Sequence, residues 1–142
     1  MEPLENKFPK AVQFTETRLE ETTVVLKKEF LLQVCRYLQK EEGFDYLSDL
    51  TGLDLGIGAE PRYAVVYHLY SLEEHRWLRL KVKTPDAVDS VTSVWKGADW
   101  FEREVYDLLG IVFSRHPNLT RIYMPDDFVG HPLRKDFPLM EE

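Results

Sequence analysis

Residues 100–138 read WFEREVYDLLGIVFSRHPNLTRIYMPDDFVGHPLRKDFP, in which a short charged helix runs directly into an arm punctuated by proline. Four prolines fall every six to eight residues from position 117 to position 138, so no long helix can form there and the backbone is driven toward extended and turn conformations. The residues between them carry too much apolar surface to remain in water. We therefore predict that residues 114–142 form an extended arm that lies along another surface.

Two surfaces could accept this arm, and the residues alone do not decide between them. The arm can wrap its own domain, or it can dock along a partner protein. In the second case we expect Arg121, Arg134 and Lys135 to pair with carboxylates of the partner, because charge-assisted hydrogen bonds of this kind stabilise interfaces.

The helix that precedes the arm has well-marked ends. Asp99 is its predicted N-cap, with Glu102 three residues further on as in a capping box. Gly110 occupies the position where a left-handed residue ends a helix. At about 100° per residue, the apolar side chains share one face of this helix: Phe101, Val105, Leu108 and Leu109.

Four charged residues of the same helix are the first candidate site. Glu102 and Glu104 flank the apolar face, and Arg103 and Asp107 are predicted to pair across one turn on the opposite face. One interpretation is an ordinary solvated face, whose pairs each contribute roughly a few tenths of a kcal/mol. The other interpretation is a charged cluster at an interface.

The residues before this helix predict strands and a further helix. A β-branched run at 22–26 favours a strand, and apolar residues at helical spacing from Phe30 to Leu38 favour a helix that stops at Gly43. Residues 44–55 fit either a helix or a strand.

A hairpin and a second helix are predicted next. Val and Tyr dominate residues 62–71, and residues 77–84 alternate between apolar and basic, so these two segments favour paired strands. The second helix is predicted to open at Pro85 and Asp86 and to close at Gly97. Its apolar stripe comprises Val88, Val91, Val94 and Trp95.

These elements predict an α/β (α+β) fold in which a mixed β-sheet is packed by amphipathic helices and followed by the proline-rich arm. Residues 1–20 are an unassigned N-terminal segment, residues 21–113 form the α/β domain, and residues 114–142 form the arm. With 142 residues, of which 44% are hydrophobic, the chain is long enough for one domain with its own core.

Charge and cysteine content narrow the classes of function. The net charge of −7 argues against nucleic acid as the main partner, because phosphate binding needs a basic face. The single cysteine, Cys35, excludes an intrachain disulfide and a cysteine-ligated iron–sulfur cluster, and a reducing compartment is expected. The sequence contains no run of about 20 apolar residues and no signal-peptide pattern at its start, so we expect a protein that is cytosolic or docked to something at a membrane.

Known catalytic and metal-binding patterns are not matched. The four histidines form no metal-binding pair at i,i+4, and a histidine before proline, as at His116 and His131, is typical of a hydrogen-bonded packing residue. Asp126 and Asp127 would give a cation only an incomplete shell. A dinucleotide fingerprint that begins at Gly56 fails at position 61, and there is no phosphate loop or nucleophile elbow. We predict no catalytic, cofactor-binding or metal-binding residue.

Three motifs carry a resemblance to a known family. They are EREVYDLLGIVF (102–113), HPNLTRI (116–122) and DFVGHPLRKDFP (127–138). Together they resemble the signature of the thirty-kilodalton subunit of respiratory complex I, and of its counterpart in the bacterial NADH–quinone oxidoreductase. The α/β portion before them is similar in layout.

The resemblance implies a cofactor-free subunit of the peripheral arm of that complex, on the cytoplasmic side of the bacterial membrane or the matrix side in mitochondria. FMN and iron–sulfur clusters are then expected in other subunits, and the membrane is contacted only through the complex. In that family the C-terminal region contacts the large forty-nine-kilodalton subunit beside the quinone cavity, which favours docking of the arm and a structural role.

The resemblance assigns partner-binding or structural roles, and none of them is catalytic. Four residues are expected to fix the helix: Glu102, Arg103, Glu104 and Asp107. Four are expected to contact the large subunit: Arg121, Arg134, Lys135 and Asp136. His116, Asp127 and His131 complete the set.

Three other functions remain open. The equivalent subunit of a membrane-bound hydrogenase, or of a ferredoxin- or deazaflavin-linked quinone dehydrogenase, would carry similar motifs. An independent metal-dependent enzyme would be active without partners. A generic adaptor would bind proteins unrelated to quinone reduction.

Overall fold

The computed structural model describes residues 3–19 and 21–136, and a five-stranded sheet lies at its centre. The strands are β1 (Val12–Arg18), β2 (Glu21–Leu26), β3 (Tyr46–Asp54), β4 (Tyr63–Ser71) and β5 (Arg76–Thr84). They lie in the order β1-β2-β5-β4-β3, with β2 and β5 parallel and the other neighbouring pairs antiparallel. The predicted mixed sheet is confirmed.

Three helices and a small second sheet accompany the large sheet in the described part of the chain. The helices are α1 (Leu4–Lys7), α2 (Leu31–Glu41) and α3 (Ala98–Leu109), and a 3-10 turn (Lys28–Phe30) leads into α2. The second sheet pairs β6 (Ala87–Asp89) with β7 (Val112–Ser114) in parallel.

The core lies between the helices and one face of the sheet. Alternate residues of β5, such as Leu78 and Leu80, are buried and pair with buried Leu69 and Tyr67 of β4. The side chains of α2 that join this core are Leu31, Val34, Cys35 and Leu38. Because side chains alternate along a strand, the other residues of β5 lie on the opposite face, which stays open to solvent.

Two segments that the sequence left open are resolved by the sheet. Residues 46–54 form the edge strand β3, and its register shifts between Leu47 and Asp49, which interrupts the alternation expected of a strand. Residues 3–19 supply α1 and β1, and Leu4 and Ala11 are buried in the core.

The predicted helix over 85–97 is wrong. Residues 87–89 form β6, and the hydroxyl of Thr84 fixes the turn before it by accepting the N–H groups of Asp86 at 3.2 Å and Ala87 at 3.0 Å. A short strand followed by a turn also buries Val88 and Val91, so the three-residue spacing of these valines did not require a helix. Trp95 is held by a bond from its indole N–H to the carbonyl of Phe44, at 2.9 Å.

Candidate functional site

Helix α3 organises the region that the sequence singled out. Its predicted end is confirmed, since Gly110 has φ of 80° in the left-handed region. Its predicted start is one to two residues late, because Gly97 is the N-cap residue and Asp99 lies in the first turn. The apolar stripe faces the core, where Val105 and Leu109 are buried.

Glu102 does not flank a solvated face, as one interpretation expected, but is fully buried. Its carboxylate accepts the hydroxyl of Ser90 at 2.6 Å and the N–H of Val91 at 2.9 Å. Burial raises the pKa of Glu102 to about 7, and the two hydrogen bonds only partly offset that rise. The carboxyl of Glu102 therefore joins α3 to the loop after β6. Glu104, by contrast, is half-buried and accepts the hydroxyl of Tyr123 at 3.1 Å.

The predicted pair of Arg103 with Asp107 is wrong. Arg103 donates to the carbonyl of Thr120 at 3.3 Å and stacks on the ring of Trp100. Asp107 is buried, and its partner is Arg121, whose Nε lies 2.6 Å from Oδ1 of Asp107. A helical projection could not show this pair because Arg121 lies in the arm, fourteen residues away.

The second oxygen of Asp107 binds the backbone of the arm. It accepts the N–H groups of three successive residues, Ile122 at 3.0 Å, Tyr123 at 2.6 Å and Met124 at 3.1 Å. Successive N–H groups arranged in this way form a concave anion site. Burial alone would raise the pKa of Asp107, but Arg121 and the three N–H groups outweigh it, and the pKa falls to about 2.

Arg121 uses its remaining donors inside the chain. It donates to the carbonyls of Phe128 at 2.8 Å, Gly130 at 2.7 Å and Asp107 at 3.0 Å. The expectation that Arg121 pairs with carboxylates of a partner is therefore wrong, because its guanidinium is occupied in closing the arm into a loop. We call Asp107 and Arg121 the hub.

The arm also satisfies the C-terminal carbonyls of α3, which have no partner within the helix. Nδ1 of His131 lies 2.9 Å from the carbonyl of Asp107, the N–H of Leu133 lies 2.8 Å from that of Leu108, and Nε of Arg134 lies 2.6 Å from that of Leu109. A cation at this end of a helix is also favoured by the helix dipole. Arg134 is thus used within the chain, although its exposure is intermediate.

The described end of the arm is fastened to the edge of the sheet. The N–H of Lys135 donates to Asp54 at 2.8 Å, and Arg62 bridges Asp54 at 2.9 Å and Asp136 at 2.8 Å. The hydrogen bonds from Arg62 hold the pKa of Asp54 well below its usual range. Sequence reasoning missed Asp54 and Arg62 because both lie more than 70 residues from the arm, and no local spacing connects them.

His116 and Asp127 complete the predicted set. The side chain of His116 is fully buried, with Nε2 lying 2.9 Å from Asp99 and Nδ1 accepting the N–H of Asn118 at 2.9 Å. Asp127 is exposed, and no hydrogen bond or ion pair joins it to residues 3–19 or 21–136. A partner contact of Asp127 or of the Lys135 ammonium stays a prediction.

The arm from 114 to 136 therefore packs on its own domain, and residues 137–142 of the predicted arm lie outside the described residues. Three apolar side chains still point outward, with Tyr123 55%, Leu133 60% and Val129 90% exposed. We call these three residues the outer ribbon. The two surfaces considered for the arm do not exclude one another, because the polar groups bind the domain and the outer ribbon remains free.

The arrangement is suited to binding and not to bond-making chemistry. The carboxylates of Asp107 and Asp54 are occupied by guanidinium and N–H groups. Within the described ranges, no group of three or more His, Cys, Asp or Glu residues is placed to hold a metal ion. The same ranges contain no helix that is long and apolar enough to span a membrane.

Comparison with known proteins gives consistent results. Residues 24–142 match the family described as "Respiratory-chain NADH dehydrogenase, 30 Kd subunit". The chain is 45% identical over 139 residues to the C-type subunit of NADH-quinone oxidoreductase from Geobacter metallireducens, covering 96% of this chain and 86% of that protein. The C-type subunit from a Roseiflexus species is 40% identical over 147 residues, covering 100% of this chain and 84% of the relative.

A solved structure shares the fold. A chain of the membrane-bound sulfane sulfur reductase, described as an archaeal respiratory membrane complex, superposes with a TM-score of 0.80, covering 96% of this chain and 82% of that chain. Its sequence identity is 23%, so this likeness concerns the fold alone. The match over residues 24–142 includes β2 to β7 and the arm, and the high identity extends over nearly the whole chain. This chain belongs to the family of the 30-kilodalton subunit of respiratory-chain NADH dehydrogenase.

Proposed function

We propose that this chain is a structural subunit of the peripheral arm of a proton-translocating NADH–quinone oxidoreductase, on the cytoplasmic side of a bacterial membrane. It supports the quinone-reducing module by docking on the large subunit, the forty-nine-kilodalton type of the complex. The chain itself holds no cofactor, and electrons pass through FMN and iron–sulfur clusters in other subunits. The relatives that are named as subunits of NADH-quinone oxidoreductase support this assignment.

The observation that carries the docking proposal is the outer ribbon on a fixed arm. Val129 is 90% exposed and Leu133 is 60% exposed, although both are apolar and lie within the family motif. The hub, together with Arg134 and Asp136, holds the backbone beneath them. A surface that is ordered before binding loses less conformational entropy when it associates, and exposed apolar side chains gain from burial.

The test places a charge on the outer ribbon without touching the hub. Val129→Asp and Leu133→Asp should each lower the amount of assembled complex in the membranes, because burying an unpaired carboxylate costs more than about 1.4 kcal/mol, which is about tenfold in affinity. Quinone-linked NADH oxidation should fall in the same proportion. The matched control is Leu19→Asp, a 95% exposed leucine between β1 and β2, which should assemble normally.

Native gel electrophoresis of solubilised membranes measures the assembled complex, and oxygen uptake with NADH measures the activity. Normal assembly of both outer-ribbon variants would contradict docking through the arm. Normal assembly with lost turnover would assign a chemical role to this surface and would contradict the structural function.

A further inference from the structure

The open face of the large sheet is a second surface with the composition of a protein interface. Side chains that alternate outward from β5 are, in order, Trp77, Arg79, Lys81 and Lys83. Because β5 is the middle strand, these four residues run through the centre of the face. We call the last three residues the basic row.

An aromatic group adjoins the basic row at one end. Tyr46, Tyr70 and Trp77 occupy matching positions on β3, β4 and β5, so they lie side by side across the sheet. The rings of Tyr70 and Trp77 are 4.5 Å apart. Trp77 is 53% exposed and Tyr46 is 54% exposed, while Phe14 on the far strand β1 is 58% exposed. Half-exposed Trp and Tyr beside an Arg are the residue types that dominate the energetics of protein interfaces.

The basic row has no counter-charge within the described chain. The ion pairs among these residues involve Arg62, Arg76, His116 and Arg121, and none involves Arg79, Lys81 or Lys83. Nε of Arg79 is shielded from water and donates no hydrogen bond to residues 3–19 or 21–136. Successive outward positions on a strand lie about 7 Å apart, so three like charges repel one another along the row. An acidic partner would remove that repulsion.

Resting on the proposed function, we propose that this open face docks an acidic segment of a neighbouring protein subunit, with carboxylates on the basic row and an apolar side chain on the aromatic group. The contact lies on the sheet face opposite the helices and is separate from the outer ribbon. An ordinary solvated face of an antiparallel sheet would show polar outward residues, but it does not require the exposed Trp77, Tyr46 and Phe14.

Two other occupants fit the charges less well. In a symmetric dimer of this chain the basic row would face its own copy, since the same patch is used on both protomers, and the like charges would repel. A single-stranded nucleic acid could stack on the aromatic group, but the net charge of −7 opposes its approach. A carboxylate-bearing protein segment satisfies the cations and the rings together.

Amine footprinting on the native complex tests the proposal. The isolated chain and the assembled complex are treated briefly with an acetylating reagent, and the modification of each lysine is measured by mass spectrometry. Lys81 and Lys83 should react about tenfold more slowly in the complex, because the centre of an interface excludes water. Lys10 and Lys40, which are exposed and lie off this face, calibrate the reagent.

A zero-length carbodiimide cross-link then identifies the occupant, because it joins a lysine amine only to a carboxylate in contact with it. The expected product links Lys81 or Lys83 to an Asp or Glu of one other subunit. Lys81→Glu combined with Lys83→Glu should weaken incorporation of the chain about tenfold, and replacement of the linked acid by Lys should restore it. Lys40→Glu is the matched control and should incorporate normally.

Each other outcome overturns the proposal. Equal reactivity of Lys81 in the isolated chain and in the complex would show that the face stays open, while the chain's presence in the complex would leave the proposed function standing. Cross-links between two copies of this chain would assign the face to a dimer. Protection that disappears after ribonuclease treatment would assign it to RNA. A chain that does not co-purify with the oxidoreductase would refute the proposed function itself.

Discussion

At the residue scale, two buried carboxylates of α3 respond to their surroundings in opposite ways. Glu102 and Asp107 both lose their water, and burial raises the pKa of each. Asp107 recovers through a guanidinium and three N–H groups, so its pKa falls to about 2 and it is charged at neutral pH. Glu102 has one hydroxyl and one N–H, and its pKa is raised to about 7. Burial alone therefore does not decide the charge, and the number of donors does.

The stability of the chain should depend on pH through Glu102. Its folded pKa of about 7 lies above the unfolded value of 4.5, so the native state binds more protons between these two values. The free energy of unfolding should therefore fall as pH rises through that window, by up to about 3 kcal/mol from this group. Glu102→Gln keeps the shape of the side chain but cannot ionise, so its stability should lack this part of the decline.

Urea unfolding of the isolated chain at about pH 5 and about pH 8 measures the difference between the wild type and the variant. Glu41→Gln, at an exposed position of α2, is the control and should keep the wild-type slope. If Glu102→Gln and the wild type lose the same stability between the two pH values, the carboxyl is already neutralised or solvated in the folded state.

At the element scale, α3 approaches the edge strand β3 where that strand has no side chain. A Cβ added to Gly52 would lie 2.7 Å from Cγ1 of Val105 and 2.7 Å from Cδ1 of Leu109. Both contacts are shorter than van der Waals distance, so the glycine permits the close packing of helix on strand. The position of α3 matters because the hub and the capped carbonyls all belong to it.

Gly52→Ala should destabilise the fold by about 1–3 kcal/mol, because a methyl group inserted into a packed contact forces the helix or its side chains to move. The matched control is Gly58→Ala, where an added Cβ meets nothing within 4 Å. Thermal unfolding followed by circular dichroism compares the two variants. Equal stability of the two would mean that Val105 and Leu109 rearrange without cost and that the close approach is not required.

The elements that the sequence predicted correctly are those specified by local spacing. The strand β2, the helix α2, the hairpin of β4 and β5 and the end of α3 at Gly110 each follow from periodicity or from one punctuating residue. Two failures have a local cause as well. The bulge after Leu47 breaks the alternation of β3, and the valines of 85–97 are buried by a strand and a turn instead of a helix.

The candidate site was predicted less completely because its contacts are distant in sequence. The residues of α3 and the arm were identified, but their partners were not. Asp107 was assigned to Arg103 because a helical projection sees only its own helix, whereas Arg121 reaches Asp107 from the arm. Asp54 and Arg62 could be found only after β3 and β4 had been placed beside the end of the arm.

At the scale of the whole molecule, the proposed contacts lie on two separate surfaces. The outer ribbon belongs to the arm on α3, and the basic row belongs to the sheet face opposite the helices. Two binding surfaces on one rigid body suit a subunit that joins two neighbours and fixes the distance between them. The hub is important to this arrangement, because it makes the arm part of the same body as the sheet.

Release of the arm should therefore be possible without unfolding the sheet, and Asp107→Asn tests this. The amide removes the charge that binds Arg121 and can no longer accept every hydrogen bond that the carboxylate accepts. We expect backbone hydrogen exchange at Ile122, Tyr123 and Met124 to accelerate about 30-fold, which corresponds to about 2 kcal/mol of local stability. Amides in the central strands β4 and β5 should keep their protection.

Asp126→Asn is the matched control for that experiment, since it changes an exposed carboxylate of the same arm and should leave all exchange rates unaltered. Hydrogen exchange followed by mass spectrometry resolves the arm from the sheet, because their peptides are separate in sequence. If exchange accelerates equally in β4 and in the arm, the hub stabilises the whole domain and the arm is not an independently opening unit. If neither changes, the three N–H groups are held by the surrounding loop and not by the charge of Asp107.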